Sequence, residues 1–384
     1  MSRNSLGVLM LSPFFSPNVG GVETHLDDLC DYLQKRGHKV FVITYQPLTT
    51  KAKSPKFESE QNLEIRRIQW VGYNLFQKLE PYPMLEFIYL TPMMLMHSFS
   101  FLIRRRDDVD VIHAHGLNAA FVAKVVGRLF GKRTIVSIHA IYNLSSRNML
   151  AKLMNISLSS FDALLTLANK SKTELLKIGL DNSRIKVFTY WVNQQVFKPL
   201  DVVFCKKELG LDRKFVVLFV GRLLEIKGVR VLLEVAGRLT DAKDITLMFV
   251  GEGPLSNEVR EASSNLENVV YVGKVENKKL DQYYNAADIV VVPSIYEEGF
   301  GRVILEALSC GTPVIASNRG GVPEALDQSV GVLIEPKVDE ILRTIENLHE
   351  HPEQLLNLRR NCRVYAENRF SENNARAIEN AYSG

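Results

Sequence analysis

Residues 287–317, ADIVVVPSIYEEGFGRVILEALSCGTPVIAS, carry the reading that decides the fold. A short apolar run, ADIVVVPS, exits into a loop rich in Glu and Gly, the loop enters an apolar helix, and a second apolar run, TPVIAS at 312–317, follows at once. Apolar runs of this length without alternation are strands buried on both faces, and two joined through a helix make a parallel βαβ unit. The same rhythm extends outward. FVVLFVG at 215–221, ITLMFVGEG at 245–253, VVYVG at 269–273 and VGVLIEP at 330–336 complete one set of buried strands. Residues 6–12, 40–44, 109–113, 134–138 and 162–167 form another, with an amphipathic helix over 22–36 ended by Gly37. The expected fold class is α/β, with two doubly wound Rossmann-like domains joined near residues 190–212 and facing each other across a cleft. Ligands then belong beyond the carboxyl ends of the strands. Residues 339–384 read as a polar helical tail broken around Phe370–Asn374.

The whole composition agrees with two packed domains. The chain has 384 residues, 46% hydrophobic and 23% charged, which excludes a disordered or low-complexity protein. Its net charge of +4 is too small to mark a nucleic-acid binder, so no nucleic-acid partner is expected. The total hides an asymmetry: residues 1–200 hold 25 Lys and Arg against 15 Asp and Glu, and residues 201–384 hold 22 against 28. An anionic molecule or surface is therefore expected at the first half. Cys30, Cys205, Cys310 and Cys362 are scattered, without zinc or disulfide spacing, and imply a reducing cytoplasm. Residues 6–15 lack a small-residue cleavage site and read as a first strand rather than a signal peptide.

Residues 84–106, MLEFIYLTPMMLMHSFSFLIRRR, are the most membrane-like segment, yet Glu86, Pro92 and His97 make a poor span. Two readings remain: a buried helix with a charged end, or an interfacial helix with Arg104, Arg105 and Arg106 near anionic head groups at the inner membrane surface.

Four places have chemical character, each at a strand end. Gly20 and Gly21 open the first helix, where backbone N–H groups and the helix dipole favour a phosphate; a tight turn is the plainer alternative. Arg222 and Lys227 follow the first strand of the second half and suit a diphosphate clamp, with solvated surface charge as the alternative. In the 287–317 stretch, Glu298 stands at the end of the loop, and Glu306 sits among Val, Ile, Leu and Ala, a costly place for a carboxylate without a partner or ligand. Gly299, Phe300, Gly301 and Arg302 bridge the two. His139 ends the strand TIVSIHA in front of an irregular loop, whereas His113 and His115 are expected on opposite faces of their strand and unable to share a metal.

With Glu298-x7-Glu306 inside EEGFGRVILEALSCGTPVIAS, Gly320-Gly321-Val322-Pro323-Glu324, Gly221-Arg222, Lys227 and the opening PNVGGVETHLDDLCDYLQKRGHKVFVIT, the chain resembles the retaining nucleotide-sugar glycosyltransferases of the group 1 family, glycosyltransferase family 4, over residues 6–382. The resemblance implies the GT-B fold, with an acceptor-side domain at 1–195, a nucleotide-sugar-binding domain at 196–365 and a last helix, 366–384, crossing back to the first. It implies that the Gly21 amide, beside Gly20, and the amides of Phe300 to Arg302 meet the donor diphosphate, that Arg222 and Lys227 neutralise it, and that Glu306 binds the ribose. Glu298 with Gly299 would then lie beside the donor sugar, and His139 would bond a sugar hydroxyl or shape the acceptor side. It further implies transfer with retention, aided by the leaving phosphate, without metal or cofactor. The donor is UDP- or GDP-linked, and the acceptor is a glycan, lipid-linked or phosphorylated molecule, with peripheral membrane contact on the interfacial reading. The alternatives are a nucleotide-sugar epimerase and a non-catalytic partner subunit that binds sugar nucleotides.

Overall fold

The computed structural model describes residues 5–383 except 19, 51, 72–74, 80, 81 and 143–148, so Val19 of the glycine turn lies outside the described residues. The chain divides into two compact units, residues 1–189 with 373–384, and residues 190–372.

The first unit is built on eight strands: β1 (Gly7–Leu11), β2 (Lys39–Tyr45), β3 (Phe57–Glu60), β4 (Leu63–Ile68), β5 (Val111–His115), β6 (Arg133–Ile138), β7 (Ala163–Thr166) and β8 (Ile185–Val187). Their order is β3-β4-β2-β1-β5-β6-β7-β8, parallel except for the β3/β4 hairpin. The central strand β1 is buried along its whole length, and Leu9 pairs with Phe41 on one side and Ile112 on the other. The hairpin and β8 are absent from the sequence-based expectation. Phe57–Glu60 is a largely exposed edge with the sequence FESE, so it shows none of the apolar continuity that marks the buried strands.

The second unit has six strands: β9 (Phe215–Val220), β10 (Ile245–Val250), β11 (Val269–Gly273), β12 (Ile289–Val292), β13 (Val314–Ser317) and β14 (Gly331–Ile334), ordered β11-β10-β9-β12-β13-β14 and all parallel. Numbered within the unit, this is the 3-2-1-4-5-6 order of a dinucleotide-binding domain, with its switch point between β9 and β12. Val217 of β9 pairs with Leu247 of β10 and with Ile289 of β12. Helices cover both faces, and a core including Val217, Phe249, Val291 and Ile315 is almost fully excluded from water.

The segment expected as either a buried or an interfacial helix is a helix over Pro83–Arg105 that is buried on one side only. Leu90, Met94, Ser98, Phe101 and Leu102 face the interior, whereas Leu85, Ile88, Met96, Phe99 and Ile103 are exposed. By length and composition it passes as a membrane span, with 33% of its most apolar window buried. The last helix, Ala375–Ser383, belongs to the first unit: Glu379 accepts hydrogen bonds from Tyr32 at 2.6 Å and Arg36 at 3.2 Å.

Candidate active site

In the second unit the chemical residues come from the two strands that flank the switch point. Glycine sets the approach of their loops. Gly228 has φ +76°, and a Cβ there would stand 2.1 Å from the Pro293 carbonyl oxygen, so only glycine lets the loop after β9 press on the loop after β12. The Ile295 N–H donates to the Ile226 carbonyl at 2.9 Å and closes the same contact. Gly320, at φ +63°, lies against the backbone of Glu298, where a Cβ would come within 2.2 Å of the carbonyl oxygen, and the Gly321 N–H donates to that oxygen at 2.8 Å.

This packing delivers Lys227 to Glu298. The ammonium donates to Glu298 Oε1 at 2.8 Å and to the Tyr296 hydroxyl at 2.9 Å, and lies 4.9 Å from the Tyr296 ring centroid. The Ser294 hydroxyl donates to the same Glu298 oxygen. Burial works against the charge on Lys227, but Glu298 and Tyr296 outweigh it and raise the lysine's pKa. Tyr296 is likewise raised, by burial first and Glu298 second, and the nearby charge of Arg222 opposes the rise. Arg222 itself is exposed, and its side chain makes no hydrogen bond or ion pair among the described residues.

Glu306 belongs to a separate set. It lies on the helix Arg302–Ser309, whose Ile304, Leu305 and Leu308 are fully buried; each such side chain contributes roughly 1.5–3 kcal/mol, which offsets the cost of drawing a carboxylate inside. Tyr284 donates to Oε2 at 2.7 Å, while Arg302 Nε at 3.2 Å and Asn277 Nδ2 at 3.4 Å donate to Oε1. The Arg302 side chain is therefore an internal counter-ion, tied also to the Trp191 carbonyl at 3.1 Å. Burial raises the Tyr284 pKa well above its usual value, with Glu306 adding to the effect, so the phenol stays a donor. Gly299 and Gly301 flank the buried Phe300 just before this helix, and the Ile304 N–H of its first turn donates to the Gly301 carbonyl at 2.9 Å.

In the first unit, Gly20 and Gly21 open the helix Gly21–Lys35 after β1, and the Thr24 N–H donates to the Gly20 carbonyl at 3.1 Å. His139 follows β6 and shares a hydrogen bond of 3.0 Å with His115, Nε2 to Nδ1. The expectation that His113 and His115 face opposite ways is wrong: residues two apart on a strand share a face, and their rings lie 4.1 Å apart. His113 also bonds Ser137 Oγ and the Tyr382 hydroxyl of the last helix, both at 2.9 Å. Burial pushes His113 and His139 down to about 3, and His115 is also well below its ordinary value, so the cluster is neutral near pH 7. His25, whose ring lies 5.6 Å from His139, joins the cluster; its place within a regular amphipathic helix gave no sign of it. Among the described residues no group of three His, Cys, Asp or Glu is placed to hold a metal ion.

A doubly wound domain with a lysine–carboxylate pair, an exposed arginine and a helix N-terminus at its switch point is suited to a phosphate-bearing ligand such as a nucleotide. The comparisons agree. Residues 204–369 match the model of the glycosyl transferases group 1, and residues 19–195 match that of Glycosyltransferase Family 4. The chain belongs to these GT-B glycosyltransferases, and it moves a hexosyl unit from a nucleotide sugar to an acceptor. It is 27% identical over 353 residues to a phosphatidylinositol N-acetylglucosaminyltransferase subunit of Arabidopsis thaliana, covering 89% of this chain and 74% of the relative. Among solved structures, sucrose-phosphate synthase from Thermosynechococcus elongatus superposes with TM-score 0.81 at 21% identity, covering 98% of both chains. Anabaena HepE in complex with UDP-glucose superposes with TM-score 0.76 at 20% identity, covering 99% of this chain and 100% of the other.

Proposed function

We propose that the chain is a retaining glycosyltransferase that takes its sugar, N-acetylglucosamine first, from a UDP-linked donor and delivers it to a lipid-borne acceptor. The observation that carries the reading is the Lys227–Glu298 pair with Ser294 and Tyr296 at the switch point of the second unit. In this reading the donor diphosphate draws Lys227, together with Arg222, and negative charge developing on the leaving phosphate is stabilised by these cations and by the amides of Phe300 to Arg302. Glu298, with Gly299, meets hydroxyls of the donor sugar. Glu306, oriented by three donors, accepts from the ribose hydroxyls. Gly20 and Gly21 contribute backbone N–H groups to the diphosphate, and His139, kept neutral, bonds a sugar hydroxyl or shapes the acceptor side.

The preference for UDP and for N-acetylglucosamine is supported by the Arabidopsis relative's name and by the nucleotide in the Anabaena complex. The lipid-borne acceptor is supported by that relative's name and by the exposed apolar side of the helix Pro83–Arg105. A thermal-shift and hydrolysis panel of UDP-N-acetylglucosamine, UDP-glucose, UDP-galactose and GDP-mannose tests the donor, with the first expected to give the largest shift. A larger shift with GDP-mannose would falsify the assignment. Interconversion of free donor without acceptor would instead identify an epimerase.

A further inference from the structure

Away from the strand ends that hold the donor-site residues, the first unit contains a concavity that none of these roles uses. A cavity of about 330 Å³ lies beside the C-terminal turns of the helix Pro83–Arg105, lined by Arg66, Arg104 and Arg105 with His97, Ser100 and Phe101. Two of its guanidinium groups are pinned against rings. Arg66 lies 5.0 Å from the Phe101 centroid and 5.6 Å from that of Phe57, and Arg105 lies 5.2 Å from that of Phe41. A guanidinium stacked in this way keeps N–H edges for an anion and loses little side-chain freedom on binding it. The counter-charges are Glu64, which accepts from Arg66 at 2.6 Å and Arg105 at 3.4 Å, and Asp108, which bonds Arg105. Arg104 is exposed and its side chain has no hydrogen bond or ion pair among the described residues, so the three arginines outnumber the two carboxylates that meet them.

The solvent side of the same helix is apolar up to the edge of this cavity. Leu85, Ile88, Pro92, Met96, Phe99 and Ile103 recur every three or four residues and are all exposed. Ile88 is 63% exposed and Ile103 61%, so the stripe is open at both ends. At 1.5 Å per residue it is about 27 Å long. Glu86, the acidic residue of the helix's first turn, accepts a hydrogen bond from Asn118 at 3.0 Å and leaves the stripe uncharged. A stripe of this length is not accounted for by a soluble phosphate, which uses only arginines. A neutral apolar partner uses only the stripe. An amphiphile with an anionic head uses both.

We propose that the cavity of Arg66, Arg104 and Arg105 receives the phosphate head group of an anionic phospholipid while the apolar stripe lies in the outer plane of that leaflet. This goes beyond the reading of a lipid-borne acceptor and stands independently of it, because it concerns a lipid that is bound and not glycosylated. The test is co-sedimentation of the full chain, without donor, on phosphatidylcholine vesicles with and without an equal part of phosphatidylglycerol, for the native chain, Arg104→Glu and Phe99→Asp. Phosphatidylglycerol is expected to raise the bound fraction. Arg104→Glu should lower binding to those vesicles about five-fold or more, since one basic residue near an anionic surface accounts for about that factor, and leave binding to phosphatidylcholine alone unchanged. Phe99→Asp should weaken both. Soluble glycerol phosphate in excess should compete for the phosphatidylglycerol-dependent part, which separates a head-group site from diffuse attraction.

Equal binding to the two vesicle types, or no effect of Arg104→Glu, overturns the proposal. So does a native dimer that Phe99→Asp converts to monomer, because the stripe would then be covered by a second copy. A thermal shift with UDP retained in both variants shows that they are folded. Absence of transfer to any lipid acceptor, with the vesicle results intact, removes the acceptor reading and leaves this site standing.

Discussion

The two units use the same architecture for opposite electrostatics. Beyond β9 and β12 the second unit gathers an ionised pair, Lys227 and Glu298, with Arg222 exposed nearby. At the ends of β5 and β6 the first unit gathers His115 and His139, with His113 and His25 packed ring to ring beside them. Parallel strands put loops at the same end of a sheet in both units; what the loops carry differs. A region of fixed charges suits a diphosphate whose charge grows during reaction, and a neutral imidazole cluster suits uncharged hydroxyls. The comparison teaches that topology selects the place and side-chain chemistry selects the ligand.

The strongest way to break this comparison is to remove the charge from one side. Lys227→Ala is expected to lower kcat about 100- to 1,000-fold with a smaller change in donor affinity, as measured by steady-state rates beside calorimetric titration with UDP. Equal losses in both would assign the lysine to ground-state binding. Glu306→Gln is expected to weaken UDP binding more than it lowers turnover. Gln is preferable to Ala here because its amide oxygen can still accept from Arg302 and Tyr284, whereas Ala would remove the acceptor as well as the charge and mask the binding effect with a folding defect.

A structural break comes next. Gly228→Ala places a Cβ against the Pro293 carbonyl at a positive φ, and a loss of about 1–3 kcal/mol in chemical denaturation is expected. Loss of stability with Lys227 chemistry intact would show that the loop contact is not what positions the lysine.

The mildest test uses pH, and the two units should respond at opposite ends of the scale. The ordinary histidine value is 6.5, and His113 and His139 lie near 3 when folded, so between these limits the unfolded chain binds more protons. Stability should fall as pH drops below about 6.5, by up to about 1.4 kcal/mol per pH unit for each histidine. Lys227 is raised above its usual 10.5, so its contribution is complete below that value and is lost only as pH rises through the higher folded value. Thermal denaturation from neutral pH to pH 4 should show the acid loss in the native chain and a shallower slope in His113→Gln. An identical slope would remove the buried histidine from the account.

Several particular residues show how much of this was legible beforehand. Glu298, Glu306, Arg222 and Lys227 stand out because each interrupts or follows an apolar run, a signal that survives in one dimension. Their partners do not. Tyr284 and Asn277 lie 22 and 29 residues from Glu306, and only the sheet order brings their elements to it. Tyr296 sits in full view beside Glu298, yet its role as a partner of Lys227 depends on a contact across 69 residues. His25 looks like any other residue of an amphipathic helix, and the misreading of His113 and His115 came from strand parity.

The sequence by itself determined two sets of buried parallel strands, the glycine-bearing loops at their ends and the residue types placed there, because apolar periodicity and turn chemistry are local properties. The tertiary structure decided the 3-2-1-4-5-6 order, the meeting of Lys227 with Glu298, the internal counter-ion for Glu306, and the one-sided burial of the helix Pro83–Arg105. Each of these depends on which surfaces pack together, and burial, ion pairing and shifted pKa values arise only from that packing.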